Sequence, residues 1–216
     1  MSRKDKTGTS GNRLFQPLAI LVAIAIVAVT AVWLISVMGD RKEEVATATS
    51  STKALIGGPF TLVDHTGKTI TEKDFAGSYM LVYFGYTFCP DVCPTELQAM
   101  STALDMIPSE TLAKINPLFV TVDPERDTVD VMRQYVALFH ENLTGLTGSV
   151  EQIDAVKKTF RVYAEKTEST AASDYLVDHT SIIYLMDSKG EYLSHFSYGT
   201  TPEEMAAKLV KLIPQD

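Results

Sequence analysis

Cysteine is nearly missing from this 216-residue chain: Cys89 and Cys93 are the only two. Two sulfurs allow one disulfide at most, so any thiol or sulfur–metal chemistry is confined to one short stretch. Methionine does not extend it. The eight methionines form no M-x-x-M cluster, and Met100, Met106, Met132, Met186 and Met205 read as core or surface filler. No proline occurs between Pro124 and Pro202, and no internal repeat is present. Positive charge is also scarce, with 19 Lys and Arg against 27 Asp and Glu. Leaving out the four basic residues and one acidic residue of the first 38 positions gives 15 basic and 26 acidic side chains, a net charge of −11. A domain this acidic repels phosphate backbones, which excludes nucleic-acid binding.

Formal charge is absent altogether from Leu18 to Met38, LAILVAIAIVAVTAVWLISVM. A helix of that length is about 31 Å long, the thickness of a bilayer's hydrocarbon core. A cleaved signal peptide has a shorter apolar region with its cleavage site directly behind it. Here the nearest A-x-A, Ala46-Thr47-Ala48, lies beyond the charged run Asp40-Arg41-Lys42-Glu43-Glu44. The reading is therefore a retained transmembrane anchor over residues 18–38. Arg3, Lys4, Lys6 and Arg13 precede it, which puts residues 1–17 in the cytoplasm and the rest outside. Residues 1–17 carry no amphipathic stripe of the transit-peptide kind. The expected location is a bacterial inner membrane with a periplasmic domain, a mitochondrial inner membrane being the alternative.

Residues 39–55, rich in Ser, Thr and Ala, read as a polar linker, and residues 56–216 as one folded domain. Within the domain, strand and helix patterns alternate. Pro59–Asp64 and Thr69–Thr71 around Gly67 predict a hairpin. The run Tyr79–Phe84 predicts a strand buried on both faces, and Leu118–Val122 another. A helix is expected from Pro94, burying Leu97, Met100, Leu104 and Ile107. Thr128 caps a second helix, and Ser149 with Gln152 opens a third through a capping box. Ile182–Met186 and Tyr192–Tyr198 flank a turn, and Thr201-Pro202-Glu203-Glu204 starts the last helix. The pattern predicts an α/β three-layer sandwich with a mixed sheet.

Cys89 and Cys93 lie in GYTFCPDVCPTEL, between a buried strand and a helix, where α/β folds place their reactive groups. A structural disulfide there would close a loop of about five residues and contribute roughly 2 kcal/mol before strain. A reactive dithiol or a metal-binding pair fits the placement better. Pro90 and Pro94 push the residue before each out of the helical region. Cys93 is therefore expected at the helix N-cap, outside the helix proper, with the lower thiol pKa of the pair. Three intervening residues leave a wide bite that suits an ion between the sulfurs.

The stretch Ile56–Phe60, then GYTFCPDVCPTEL, TVDPERDT (121–128) and VDHTSIIYLMD (177–187), in this order and spacing, resembles the Sco/SenC family. The resemblance implies a thioredoxin-like fold, copper binding, and assembly of the copper centre of cytochrome c oxidase. It places the metal ligands on Cys89, Cys93 and His179. Thioredoxin-like oxidoreductases carry a cis-proline beside the dithiol; His179 stands roughly where that proline would, and an imidazole can ligate a metal. Two thiolates and one imidazole suit a copper ion, whereas zinc normally takes a fourth ligand. Asp123 and Asp127 are expected near the site, either in it or as turn and helix-start residues, with Arg126 pairing to one of them. His65, His140 and His195 read as structural.

The residues together with the resemblance leave three functions. One is a copper chaperone serving an oxidase subunit that carries a copper centre, a carrier rather than an enzyme. Another is a thiol–disulfide reductase using the Cys89–Cys93 dithiol as its catalytic pair to keep that subunit's copper-ligand cysteines reduced. A redox or copper sensor is the third. Other copper carriers or thiol reductants are the remaining expected partners.

Overall fold

The computed structural model describes residues 26–34, 56–167 and 175–214. The chain divides into two units, Met1–Lys53 and Ala54–Asp216. In the first, residues 26–34 are helical (α1), and Ile26, Val27, Val29, Val32, Trp33 and Leu34 are all exposed. Residues 18–25 and 35–38 of the expected span lie outside the described residues. Among the described residues no helix is long and apolar enough to cross a membrane.

The second unit is built on a seven-stranded sheet. Its strands are β1 (Thr61–Asp64), β2 (Thr69–Thr71), β3 (Tyr79–Gly85), β4 (Ile115–Thr121), β5 (Thr144–Thr147), β8 (Ile182–Met186) and β9 (Tyr192–Ser197), in the order β2-β1-β5-β4-β3-β8-β9. β3, β4 and β5 run parallel, while β1 and β8 join antiparallel, so the sheet is mixed as expected. A separate two-stranded ribbon is formed by β6 (Ala164–Thr167) and β7 (Leu176–His179). The helices are α2 (Val92–Met106), α3 (Ser109–Leu112), α4 (Val129–Val136), α5 (Val150–Phe160) and α6 (Pro202–Leu212).

The layers follow from strand alternation on β3. Tyr83 stacks on Phe119, which meets Tyr135 of α4, whereas Phe84 points the other way onto Phe160 of α5 and Tyr184. Both side chains are fully buried, each contributing about 2 kcal/mol by apolar burial. Helices thus cover both faces, and three layers result. α2 packs against α6.

The helix starts are those the sequence signals. Thr128 accepts from Val131 N–H; Ser149 and Gln152, like Thr201 and Glu204, form reciprocal capping boxes. Satisfying two first-turn donors in this way fixes where each helix begins. α2 departs from expectation. It begins at Val92 with Asp91 at the N-cap, so Cys93 lies inside the first turn and Pro94 is the third helical residue. First-turn N–H groups have no partner within the helix, so proline loses nothing there, and its restriction on the preceding residue is a bias rather than a bar.

Candidate metal centre

β3 delivers the site. It ends at Gly85, where an added Cβ would stand 2.9 Å from Cys93 Sγ and 2.9 Å from Phe119. The missing side chain lets the first turn of α2 seat Cys93 against the sheet. Cys93 is fully buried, Cys89 half-buried, and both are free thiols. Cys89 Sγ accepts the Cys93 backbone N–H at 3.3 Å, so it is Cys89, not Cys93, whose sulfur receives the free donors and positive end of α2.

This reverses the expected order of acidity. The hydrogen bond from the Cys93 thiol holds Cys89 well below the ordinary thiol range, with the backbone N–H groups of Cys93 and Asp91 adding to it. The same bond, with burial, pushes Cys93 up. The error in the expectation came from the helix start. A cysteine at the N-cap would point its own sulfur at the helix end, whereas one inside the first turn offers its N–H to another group.

His179 closes the third side. It is the last residue of β7, with Nε2 3.3 Å from Cys93 Sγ. Its Nδ1 lies 3.1 Å from the Thr180 carbonyl oxygen. A carbonyl only accepts, so Nδ1 carries the hydrogen and the Nε2 lone pair faces the sulfurs. Tyr83 and Tyr86 meet the imidazole edge-on at 6.3 and 5.9 Å between ring centres, and Tyr86 Oη accepts Val177 N–H at 3.2 Å. Among the described residues, Cys89, Cys93 and His179 form the one group of three potential ligands whose donor atoms converge, all within 4.8 Å of one another. A cleft of about 430 Å³ bordered by Tyr86, Cys89, Val92, His179 and Tyr198 opens onto it.

The two aspartates part company. Asp127 is fully buried and accepts from Thr87 N–H (3.1 Å), Thr87 Oγ1 (2.6 Å) and Thr121 Oγ1 (2.6 Å), bracing the loop that leads to Cys89 against the end of β4. Burial raises its carboxyl above the ordinary range despite these donors. Asp123 pairs with Arg126 and accepts the Tyr175 hydroxyl at 2.7 Å. Neither belongs to the converging group. His65, His140 and His195, expected to be structural, lie outside the converging group and make local contacts. His65 Nδ1 accepts Gly145 N–H, His140 Nδ1 accepts Asn142 N–H beside Asp105, and His195 Nδ1 meets the Tyr192 hydroxyl. Sequence reasoning missed Thr87, Tyr86 and Tyr175. Only Tyr86 had a legible signal, its place just past a buried strand.

The SCO1/SenC family model matches residues 48–214. The chain belongs to that family. It is 46% identical over 158 residues to the mitochondrial protein SCO1 homolog of Homo sapiens, a match covering 73% of this chain and 52% of that protein. With the mitochondrial SCO1 homolog 1 of Arabidopsis thaliana it shares 43% identity over 166 residues, 77% of this chain and 49% of that protein. The chain thus spans about half the length of these two relatives. Among solved structures, Bradyrhizobium japonicum ScoI with copper bound is similar at 45% identity and TM-score 0.68, covering 73% of this chain and 99% of that one. The thioredoxin-like fold implied by the motifs agrees with this likeness.

Proposed function

We propose that the chain carries one copper ion on Cys89, Cys93 and His179 and delivers it to the copper centre of a cytochrome c oxidase subunit during assembly. The observation that carries the reading is the convergence of two thiol sulfurs and an imidazole Nε2 within 4.8 Å. The donor set fits copper. Soft thiolates hold copper(I) at low coordination number, and an imidazole supplies the harder donor that copper(II) prefers. The Thr180 carbonyl fixes the tautomer that leaves Nε2 free, the outer-shell contact expected of a ligating histidine. The ion is cargo, and an exposed edge on the Cys89 side gives an incoming ligand a route to it. The 21 uncharged residues from Leu18 to Met38 support a membrane anchor, with the domain on the periplasmic side of a bacterial inner membrane.

A second reading has its own support in the asymmetry of the pair: an accessible, acidified Cys89 and a buried, protonated Cys93. Cys89 thiolate would attack a partner disulfide and expel one partner thiolate. Cys93, losing its proton, would then attack the mixed disulfide, releasing the second partner thiol. The partner gains two electrons, the Cys89–Cys93 pair is oxidised, and a thiol reductant must restore it.

Anaerobic titration of the detergent-solubilised full-length protein with copper(I) separates the readings. The carrier reading expects one ion per chain, bound through both cysteines. No binding, or two or more ions at comparable affinity, would contradict it.

A further inference from the structure

The ribbon that ends in His179 pairs with no strand of the main sheet. An isolated two-stranded hairpin is marginally stable in water, so something else must hold His179 in place. One many-sided tie runs through Arg126, in the turn after β4. Its Nε pairs with the Asp123 carboxylate, and one terminal nitrogen donates to the Tyr175 carbonyl oxygen at 3.0 Å. The guanidinium carbon lies 3.8 Å from the centre of the Tyr175 ring, and the Tyr175 hydroxyl donates to the other Asp123 oxygen at 2.7 Å. Tyr175, the residue before β7, is thereby held at its ring, hydroxyl and carbonyl. The same guanidinium also lies 4.9 Å from the Phe88 ring and 5.6 Å from the Tyr86 ring. Phe88 directly precedes Cys89, so one side chain touches both the loop that carries a cysteine and the ribbon that carries the histidine. Lys166 of β6 reinforces the tie by pairing with Glu125 and lying 4.3 Å from the Tyr175 ring centre.

We propose that Asp123, Arg126 and Tyr175 form a latch that positions His179 against the two cysteines. Arg126 touches neither sulfur nor imidazole in this arrangement; it is a positioning residue. Asp123 is 1% exposed and the Arg126 side chain 16%, so the pair is largely dry and geometrically restrained. Lysine in its place would keep the charge but lose the planar fork that serves the Asp123 carboxylate and the Tyr175 carbonyl at once while stacking on the ring. The proposal rests on the reading of His179 as a copper ligand. When the latch opens, the thiolates remain in the rigid β3–α2 junction while the histidine departs. Copper(I) stays; copper(II) is lost.

The test uses the full-length protein with Arg126→Leu, Arg126→Lys and Tyr175→Phe, beside His179→Ala. Hydrogen exchange of the metal-free protein comes first, because it does not depend on any ligand assignment. Amides of Leu176–His179 in Arg126→Leu should exchange about 10-fold or more faster than in the parent, while those of β3 and α2 keep parental rates. Arg126→Lys should lie between, and Tyr175→Phe should shift the same way by less. Copper(II), read by its sulfur-to-metal absorbance, should be released about 10- to 100-fold faster by Arg126→Leu, the range typical of lost outer-shell support. Parental exchange over 176–179 in Arg126→Leu overturns the latch. If that variant does not fold, parental exchange in both Arg126→Lys and Tyr175→Phe overturns it. Faster exchange with parental copper(II) release also overturns it, provided His179→Ala loses copper(II). If His179→Ala keeps copper(II), the ligand reading fails instead, and the exchange rates alone decide the latch.

Discussion

The two halves of the site are held in opposite ways. Cys89 and Cys93 sit where the central strand β3 meets α2, backed by Tyr83 and Phe119 and closed in by Gly85. His179 hangs at the end of a ribbon outside the sheet, fixed by one guanidinium, two tyrosines and a backbone carbonyl. Burial of many apolar groups gives the sulfurs a position that no single contact decides. The histidine depends on fewer ties, and those made by the Arg126, Tyr175 and Tyr86 side chains are each removable by one substitution. A site of this kind can hold its soft donors steady while its hard donor comes and goes, which suits a carrier that must bind an ion and also release it.

The first way to break the comparison is at the sulfurs. Cys89→Ser or Cys93→Ser should each weaken copper(I) by more than the roughly 100-fold expected for loss of an outer contact. Anaerobic competition with a copper(I) chelator reads this, and a ten-fold loss or less would show that one sulfur suffices.

Removing the brace beneath the cysteine loop comes next. Asp127→Ala leaves one buried donor and two half-buried ones without this acceptor and should cost about 2–3 kcal/mol by denaturant unfolding. The pH dependence has a definite sign. Burial raises the folded-state pKa of Asp127 above 3.8, so its contribution is complete below 3.8 and is lost as pH rises through the folded value. The parent should therefore gain stability relative to Asp127→Asn as pH falls from neutrality, and a gap that is flat with pH would refute the assignment. Gly85→Ala should follow at about 1–3 kcal/mol, since its new methyl must displace Cys93 Sγ or Phe119.

On the ribbon side the expected stability effects are smaller. Tyr86→Phe removes the acceptor of Val177 N–H and should cost about 1 kcal/mol, with faster exchange confined to β7. Faster exchange spreading into β3 would show that ribbon and sheet are not separate, and the comparison would fall.

The same contrast explains what could be read in the sequence. Tyr79–Phe84 and Leu118–Val122 announce themselves as apolar runs because they are buried on both faces, and capping residues at Thr128, Ser149 and Thr201 mark helix starts by local chemistry. β5 (Thr144–Thr147) carries a glycine and only four residues, too little for a periodic signal. β6, Ala-Glu-Lys-Thr, is mostly polar and only Ala164 packs against the core, so nothing in its pattern speaks of a strand. Arg126 and Tyr175 are 49 residues apart, and their meeting is a property of the fold alone. Cys89, Cys93 and His179 were legible as a set through the family resemblance; an unequal acidity was legible too, but its direction was not, since it turns on α2 starting at Val92 rather than at Pro94.

On the proposed ligand set, His179 completes a metal site whose sulfurs can act without it. His179→Ala tests this most directly, assayed on one preparation for anaerobic copper(I) affinity, sulfur-to-copper(II) absorbance and reduction of a small disulfide. Copper(I) affinity and dithiol reactivity should largely survive while stable copper(II) binding is lost. A variant that binds copper(II) like the parent but loses dithiol reactivity would contradict that ligand set, and the reductase reading would take its place.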